Sequence, residues 1–327
     1  MAQDLLQKQA QAGDAQSQTA LSAIGALLGP NFSLAELAPC ADEVRALDEN
    51  GGPPKAAGTA FTCGGLSLVV DPTTEPGHFV NVPIGSPASA DSVNAKCGGD
   101  CVVAEIKLHL QTLQDPNATT DGKQKALMFL VHFVGDEHQP LHCATEIVNG
   151  KSDDGGNGKL VRFDGLELKM HALWDHELQK TDAVNDPAAI SQALEQTLPA
   201  DTSAWTQGDF VVTAAVESFG YAASKIYPAY YAAAGGGAAQ SKPGRGRKPS
   251  AAQNQAAGPV VDLPADYAAQ MTDENGQPLV PSRLQKAGVR LAALLKQALG
   301  GAAPAAPNPA AERAAGKIRG AAVPPKW

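Results

Sequence analysis

The stretch Phe129-Leu130-Val131-His132-Phe133-Val134-Gly135-Asp136-Glu137-His138-Gln139-Pro140-Leu141-His142 decides how this chain is read. Helical spacing runs from about 122 to 135, and the Gln139-Pro140 step bends the chain, because proline lacks an amide donor and clashes with the preceding turn. His132 and Asp136 are four apart on that helix, so both side chains leave one face and reach a single metal ion. Beyond the proline, His142 turns toward the same cavity, free of helical phase. His171 and Asp175 repeat the four-residue spacing at the start of a second helix, 171–179. One His/Asp pair at this spacing is more often a hydrogen-bonded surface pair than a ligand set. Two such pairs, with five of the seven histidines in two short apolar-flanked segments, point to a metal centre.

Three other histidines are read as outside the ligand set. His138 lies off the face shared by His132 and Asp136 and supports the site or the core. His176 points away beside Asp175, and His109 is taken to lack an acidic neighbour at ligand spacing. Histidine nitrogen and carboxylate oxygen without paired thiolates favour zinc over an iron–sulfur or Cys-rich site. More than four ligands implies more than one ion, and closely spaced zinc ions suit hydrolysis of a phosphoester.

Working outward, the strongest apolar patterning of the 327 residues falls in one block, which fits one mostly α domain with long loops and one small β-hairpin. Helices are expected at 4–28, 34–47, 102–113, 190–198, 213–233 and 281–299. The Gly/Pro/Thr/Ser-rich region 48–100 reads as loop with one extended segment at 66–70, and 160–163 with 166–169 as the hairpin. The domain is bounded at 1–299, with a low-complexity basic insertion at 234–258 and a disordered Ala/Pro tail at 300–327. A net charge of −9 excludes a broad basic face that holds duplex nucleic acid by counterion release. The residues after Met1 are polar, without the basic patch and apolar run of a secretory signal, and no apolar run is long enough for a membrane span.

Three segments together resemble the S1/P1 nuclease family: 129–142, the Asp153-Asp154-Gly155-Gly156-Asn157 turn, and His171-Ala172-Leu173-Trp174-Asp175. The resemblance implies a mostly helical fold of phospholipase C/nuclease type with three zinc ions. It also implies cleavage of single-stranded DNA and RNA to 5′-nucleotides and removal of 3′-phosphates from nucleotides. Upstream, Ala41-Asp42-Glu43-Val44-Arg45 and Gly77-His78-Phe79-Val80-Asn81-Val82-Pro83 look like the family's acidic helix motif and histidine loop. By that correspondence Asp42, His78, His132 and Asp136 hold one zinc, and His142, His171 and Asp175 a second. Asp42 then orients the attacking water, and Arg45 stabilises charge on the phosphoryl oxygens. Phe79 and Val148 match positions that sandwich a base, Asn81 hydrogen-bonds it, and Asn157 either touches substrate or serves a plain turn. At 261–264 and 285–293 the chain resembles the family's closing helix, so the likeness covers about 15–299.

Family members are expected to open on a Trp and a nearby His that hold the third zinc. This sequence opens Met1-Ala2-Gln3-Asp4, with neither residue before His78. The expectation is therefore two ions with full ligand sets and reduced turnover. Export to a secreted or periplasmic location follows from the resemblance alone, and with it a Cys97–Cys101 disulfide is preferred over two free thiols at a helix start. The expected partners are single-stranded nucleic acid and 3′-nucleotides, with no membrane, no obligate protein partner and a monomeric state. Two other readings are a zinc-dependent phospholipase C and a zinc-binding remnant that lacks catalysis.

Overall fold

The computed structural model describes residues 1–45, 56–176, 178, 186–235 and 259–301. Its helices are α1 (Ala2–Gln11), α2 (Ala15–Leu28), α3 (Leu34–Leu37), α4 (Cys40–Val44), α5 (Ala90–Lys96), α6 (Val102–Gln114), α7 (Thr120–His138), α8 (Met170–Asp175), α9 (Pro187–Gln196), α10 (Phe210–Tyr221), α11 (Tyr227–Ala233), α12 (Tyr267–Gln270) and α13 (Leu279–Leu299). The strands are short: β1 (Ala60–Cys63), β2 (Leu66–Val69), β3 (Val82–Pro83), β4 (Ala144–Thr145), β5 (Ile147–Val148), β6 (Lys151–Ser152), β7 (Leu160–Phe163), β8 (Leu166–Lys169) and β9 (Val261–Asp262). The fold is mostly α, as the helical spacing indicated.

The central element is α7. Thr119 caps its start by accepting from the Gly122 amide, which satisfies one of the amides a helix leaves open at its first turn. Ala126, Leu127, Met128, Leu130, Val131, Phe133 and Val134 are all buried, so apolar residues cover most of the helix circumference rather than one stripe. The surfaces that bury them come from α6, α13, α10, α4, α3 and α2, all of which pack on α7. At its end Gln139 adopts an extended conformation and Pro140–Cys143 forms a 3-10 turn, which carries His142.

Several boundaries differ from the periodicity reading. The opening segment is two helices rather than one, because Gly13 takes φ +95 and Asp14 caps α2 through the Gln16 amide. The expected helix at 34–47 breaks at Pro39 into α3 and α4, with 46–47 outside the described residues. The region 48–100 holds more structure than one extended segment: an antiparallel β1–β2 hairpin, a 3-10 segment Pro72–His78 and α5. The expected 213–233 helix contains a π-helical stretch at Ala222–Ile226 between α10 and α11. The β7–β8 hairpin is present, and β9 adds to it in parallel, so Val261-Asp262 is strand where a helix was expected.

Two disulfides form, Cys97–Cys101 and Cys40–Cys63, and the second, which joins α4 to β1, was not anticipated. Cys143 is free and buried. Among the described residues no helix is long and apolar enough to cross a membrane. Apart from 234–235 and 300–301, the basic insertion and the Ala/Pro tail lie outside the described residues, as does most of 176–185.

Candidate metal centre

Five elements bring the ligand-type side chains together. Asp42 comes from α4, His78 from the end of the 3-10 segment, and His132 and Asp136 from successive turns of α7. His142 follows the Pro140 turn, and His171 and Asp175 sit on α8. The ligand atoms of Asp42, His78 and His132 lie within 4.8 Å of one another, and so do those of His142, His171 and Asp175. Asp136 stands between the two groups. One of its oxygens is 2.9 Å from both His78 Nδ1 and His132 Nε2, and the other is 3.6 Å from His142 Nδ1.

The backbone fixes which nitrogen each ring presents. His132 Nδ1 donates to the Ala38 carbonyl (2.6 Å), His142 Nδ1 to the His78 carbonyl (2.8 Å) and His171 Nδ1 to the Gly155 carbonyl (2.8 Å). In each case Nε2 is left facing the carboxylates, the arrangement by which a hydrogen bond at one nitrogen sets the tautomer and frees the other for a metal. His78 is reversed: Nδ1 faces Asp136, while its buried Nε2 has no partner. His78 Nδ1 and His132 Nε2 lie 3.1 Å apart, two ring nitrogens aimed at each other between carboxylates. A cation bound to both nitrogens would use both lone pairs. The nitrogen and carboxylate donor set, free of sulfur, fits zinc.

The charges of the site agree with that fit. Burial by itself would raise the Asp42 carboxyl, yet the hydrogen bond and charge of His132, with Arg45, bring it down to about 2. Burial likewise opposes ionisation of Asp136, but His132 and His142 hold it well below the usual carboxylate range. In return, and against their own burial, Asp136 with Asp42 lifts His132 well above its ordinary value, and Asp136 with Asp175 lifts His142 to about 9. Burial lowers His78 and His171. Buried carboxylates that stay ionised attract cations, and the same carboxylates favour protons on His132 and His142.

Arg45 Nη2 meets Asp42 at 2.8 Å, and Nη1 lies 3.6 Å from Glu75, a residue the sequence reading did not single out. Gln139 was also missed: its side chain accepts from the Leu141 amide and donates to Asp175 at 2.7 Å, so it orients a ligand and shapes the turn before His142. His138 is buried; it donates to the Val134 carbonyl and receives Arg290 Nη1 at 3.0 Å, a core role. His109 corrects the reading made of it, since Glu105 is four residues back and 3.4 Å away. Its ring stacks on Phe129, apart from both ligand groups.

Phe79 and Asn81 are half-buried beside His78, in the segment whose Val82 pairs in parallel with Ala144. Val148, 51% exposed, lies on the β5–β6 hairpin. The Asn157 side-chain amide donates to the Asp154 carbonyl and closes the turn.

A sequence model of the S1/P1 nuclease family matches residues 1–300. The chain belongs to this family. Over 143 residues it is 29% identical to nuclease P1 of Penicillium citrinum, a match covering 40% of this chain and 51% of that one. To nuclease S1 of Aspergillus oryzae it is 31% identical over 113 residues, 34% and 37% of the two chains. With endonuclease 2 of Arabidopsis thaliana the identity is 32% over 119 residues, 33% and 38%. The chain thus spans about half the length, or less, of these curated S1/P1 relatives. Membership adds a nuclease context to a site assembled from its own side chains.

Proposed function

We propose that this chain is a zinc-dependent phosphoesterase that cleaves single-stranded DNA and RNA to 5′-nucleotides and removes 3′-phosphates from nucleotides. The observation that carries the reading is the pair of His/carboxylate triads flanking Asp136, with three rings locked by backbone carbonyls so that Nε2 faces inward. Family membership and similarity to proteins named as nucleases support it.

Asp42, His78, His132 and Asp136 would hold one zinc, and His142, His171 and Asp175 another. When bound, closely spaced zinc ions acidify water and steady a leaving oxygen. Asp42, kept ionised, accepts a proton from water and aims its lone pair at phosphorus. Arg45, with one nitrogen on Asp42, directs its planar donors at the phosphoryl oxygens. Phe79 and exposed Val148 hold a base between them, and Asn81 hydrogen-bonds its edge; stacking of this kind tolerates any base. Export to an oxidising compartment is part of the proposal, supported by the two disulfides.

Purified protein with added zinc is assayed on single-stranded DNA and on a 3′-mononucleotide, with a chelator control and an Asp42→Asn variant. Cleavage that the chelator and the variant both abolish is the expected result. Cleavage that survives chelation, or no cleavage by protein with zinc bound, overturns it.

A further inference from the structure

Lys159 is 8% exposed, an unusual burial for an ammonium group, and it lies just before β7, outside both ligand groups. Its Nζ donates to Glu146 at 2.6 Å and to the Tyr231 hydroxyl at 3.4 Å, and lies 3.7 Å from Asp153. The rings of Tyr230, Tyr231 and Tyr227 surround it, with centroids at 4.8, 5.2 and 5.6 Å. Tyr227 and Tyr231 in turn donate their hydroxyls to Asp153 and Glu146. The cluster thus sets one ammonium and two tyrosine hydroxyls against two half-buried carboxylates.

Both ends of Lys159 connect to the second triad. Its backbone carbonyl accepts from the Met170 amide at 2.8 Å, one residue before His171. Its ammonium pins Glu146 and Asp153, and Asp153 opens the turn whose Gly155 carbonyl takes the His171 Nδ1 proton. Asp153 also accepts from the Glu146 amide and the Thr145 hydroxyl, which fixes the turn against β4, directly after the segment bearing His142. Asp42 and His132 are held from Arg45 and Ala38, away from this cluster, while the His78 segment meets the His142 segment through backbone bonds that Lys159 does not touch.

We infer that Lys159 is a positioning residue for the metal triad His142, His171 and Asp175, acting through the Asp153–Asn157 turn and the start of α8. The inference rests on the metal-centre reading of the preceding subsection. Without the ammonium, the half-buried Glu146 and Asp153 lose the cation they share, the turn moves, and the Gly155 carbonyl no longer holds the His171 ring.

The test measures zinc affinity and stoichiometry of the full chain by competition with a chromophoric chelator, and thermal unfolding in parallel. The variants are Lys159→Met, Lys159→Arg and Tyr227→Phe, with His171→Ala as the reference for loss of the second site. Lys159→Met is expected to weaken one ion by roughly tenfold to a hundredfold, matching the ion affected in His171→Ala, and to leave the other unchanged. Lys159→Arg, which keeps the charge, restores most of that affinity. Tyr227→Phe removes only one hydroxyl from Asp153 and, even if Lys159→Met does not fold, shows a smaller loss at the same ion. Unchanged affinity at both ions, or an equal loss at both in folded variants, overturns the inference. A wild-type chain that binds no zinc is a distinct result: it removes the metal-centre reading, and this inference with it.

Discussion

In the proposed reaction Asp42 has two jobs that pull in opposite directions: it must be buried enough to be directed, yet ionised enough to accept a proton. His132 and Arg45 resolve the conflict by holding its carboxyl at about 2 despite enclosure. Asp42→Asn keeps the size and removes the charge. Turnover of single-stranded DNA at saturating substrate is expected to fall by about 10²–10⁴-fold, in line with the loss of a positioned proton acceptor. Zinc at His142, His171 and Asp175 should remain, and a metal count on the variant checks that part. His132 and His142 make a second prediction at this scale. In the metal-free protein the neighbouring carboxylates raise both rings, His142 to about 9, which favours their protonated forms at neutral pH. Zinc uptake must displace those protons. Titration calorimetry in buffers of different ionisation enthalpy should give a buffer-dependent heat, and a heat independent of buffer contradicts the assignment.

Among the elements, the Asp153–Asn157 turn controls more than its length suggests. Gly155 takes φ +63, and a Cβ there lies 2.4 Å from the Leu141 carbonyl oxygen and 3.3 Å from His171 Nδ1. Any side chain strains the backbone and displaces the ring that Gly155 holds. Gly155→Ala is expected to cost about 1–3 kcal/mol in urea unfolding and to weaken the ion at the second triad. Gly150 in the neighbouring β5–β6 hairpin takes φ +76 with open space around it. Its alanine variant shares the backbone strain and should leave zinc affinity alone, which separates the two effects. The π-helical stretch between α10 and α11 has a comparable consequence for placement: Tyr227, Tyr230 and Tyr231 follow it directly and close around Lys159.

At the scale of the molecule, α13 ties the C-terminal part of the described chain to the underside of the site. Arg283 and Arg290 reach His138 and Ala214 from one side and share Glu217 on α10, with Lys286 3.5 Å from that carboxylate. Burial alone would raise Glu217, but the Arg290 hydrogen bond and the charges of Arg283 and Arg290 lower it to about 2. Its folded value lies below the unfolded one, so its contribution is fully present above about pH 4.5 and is lost as pH falls toward 2. The contribution is on the order of 3 kcal/mol. Glu217→Gln should flatten the dependence of unfolding free energy on pH across that window, as read by urea titrations at several pH values. An unchanged acid limb contradicts this role.

Spacing along the chain determined the helical class, the boundaries of α6 and α7 to within a few residues, and the four-residue His/Asp pairs, because a helix converts sequence offset directly into a shared face. The resemblance supplied Asp42 and His78, which no periodicity marks: one sits in a five-residue helix, the other at the end of a 3-10 segment. The breaks at Gly13 and Pro39 were written in residue types that helical spacing alone passes over. What only the tertiary structure decided are contacts between residues far apart in sequence. The Cys40–Cys63 bridge, the carbonyls of Ala38, His78 and Gly155 that select each ring nitrogen, the Glu75 partner of Arg45 and the tyrosine enclosure of Lys159 all belong here. Backbone carbonyls are the same at every position, and a buried lysine has the same letter as an exposed one. Their roles are set by which surfaces the packing of α7 against its neighbours brings face to face.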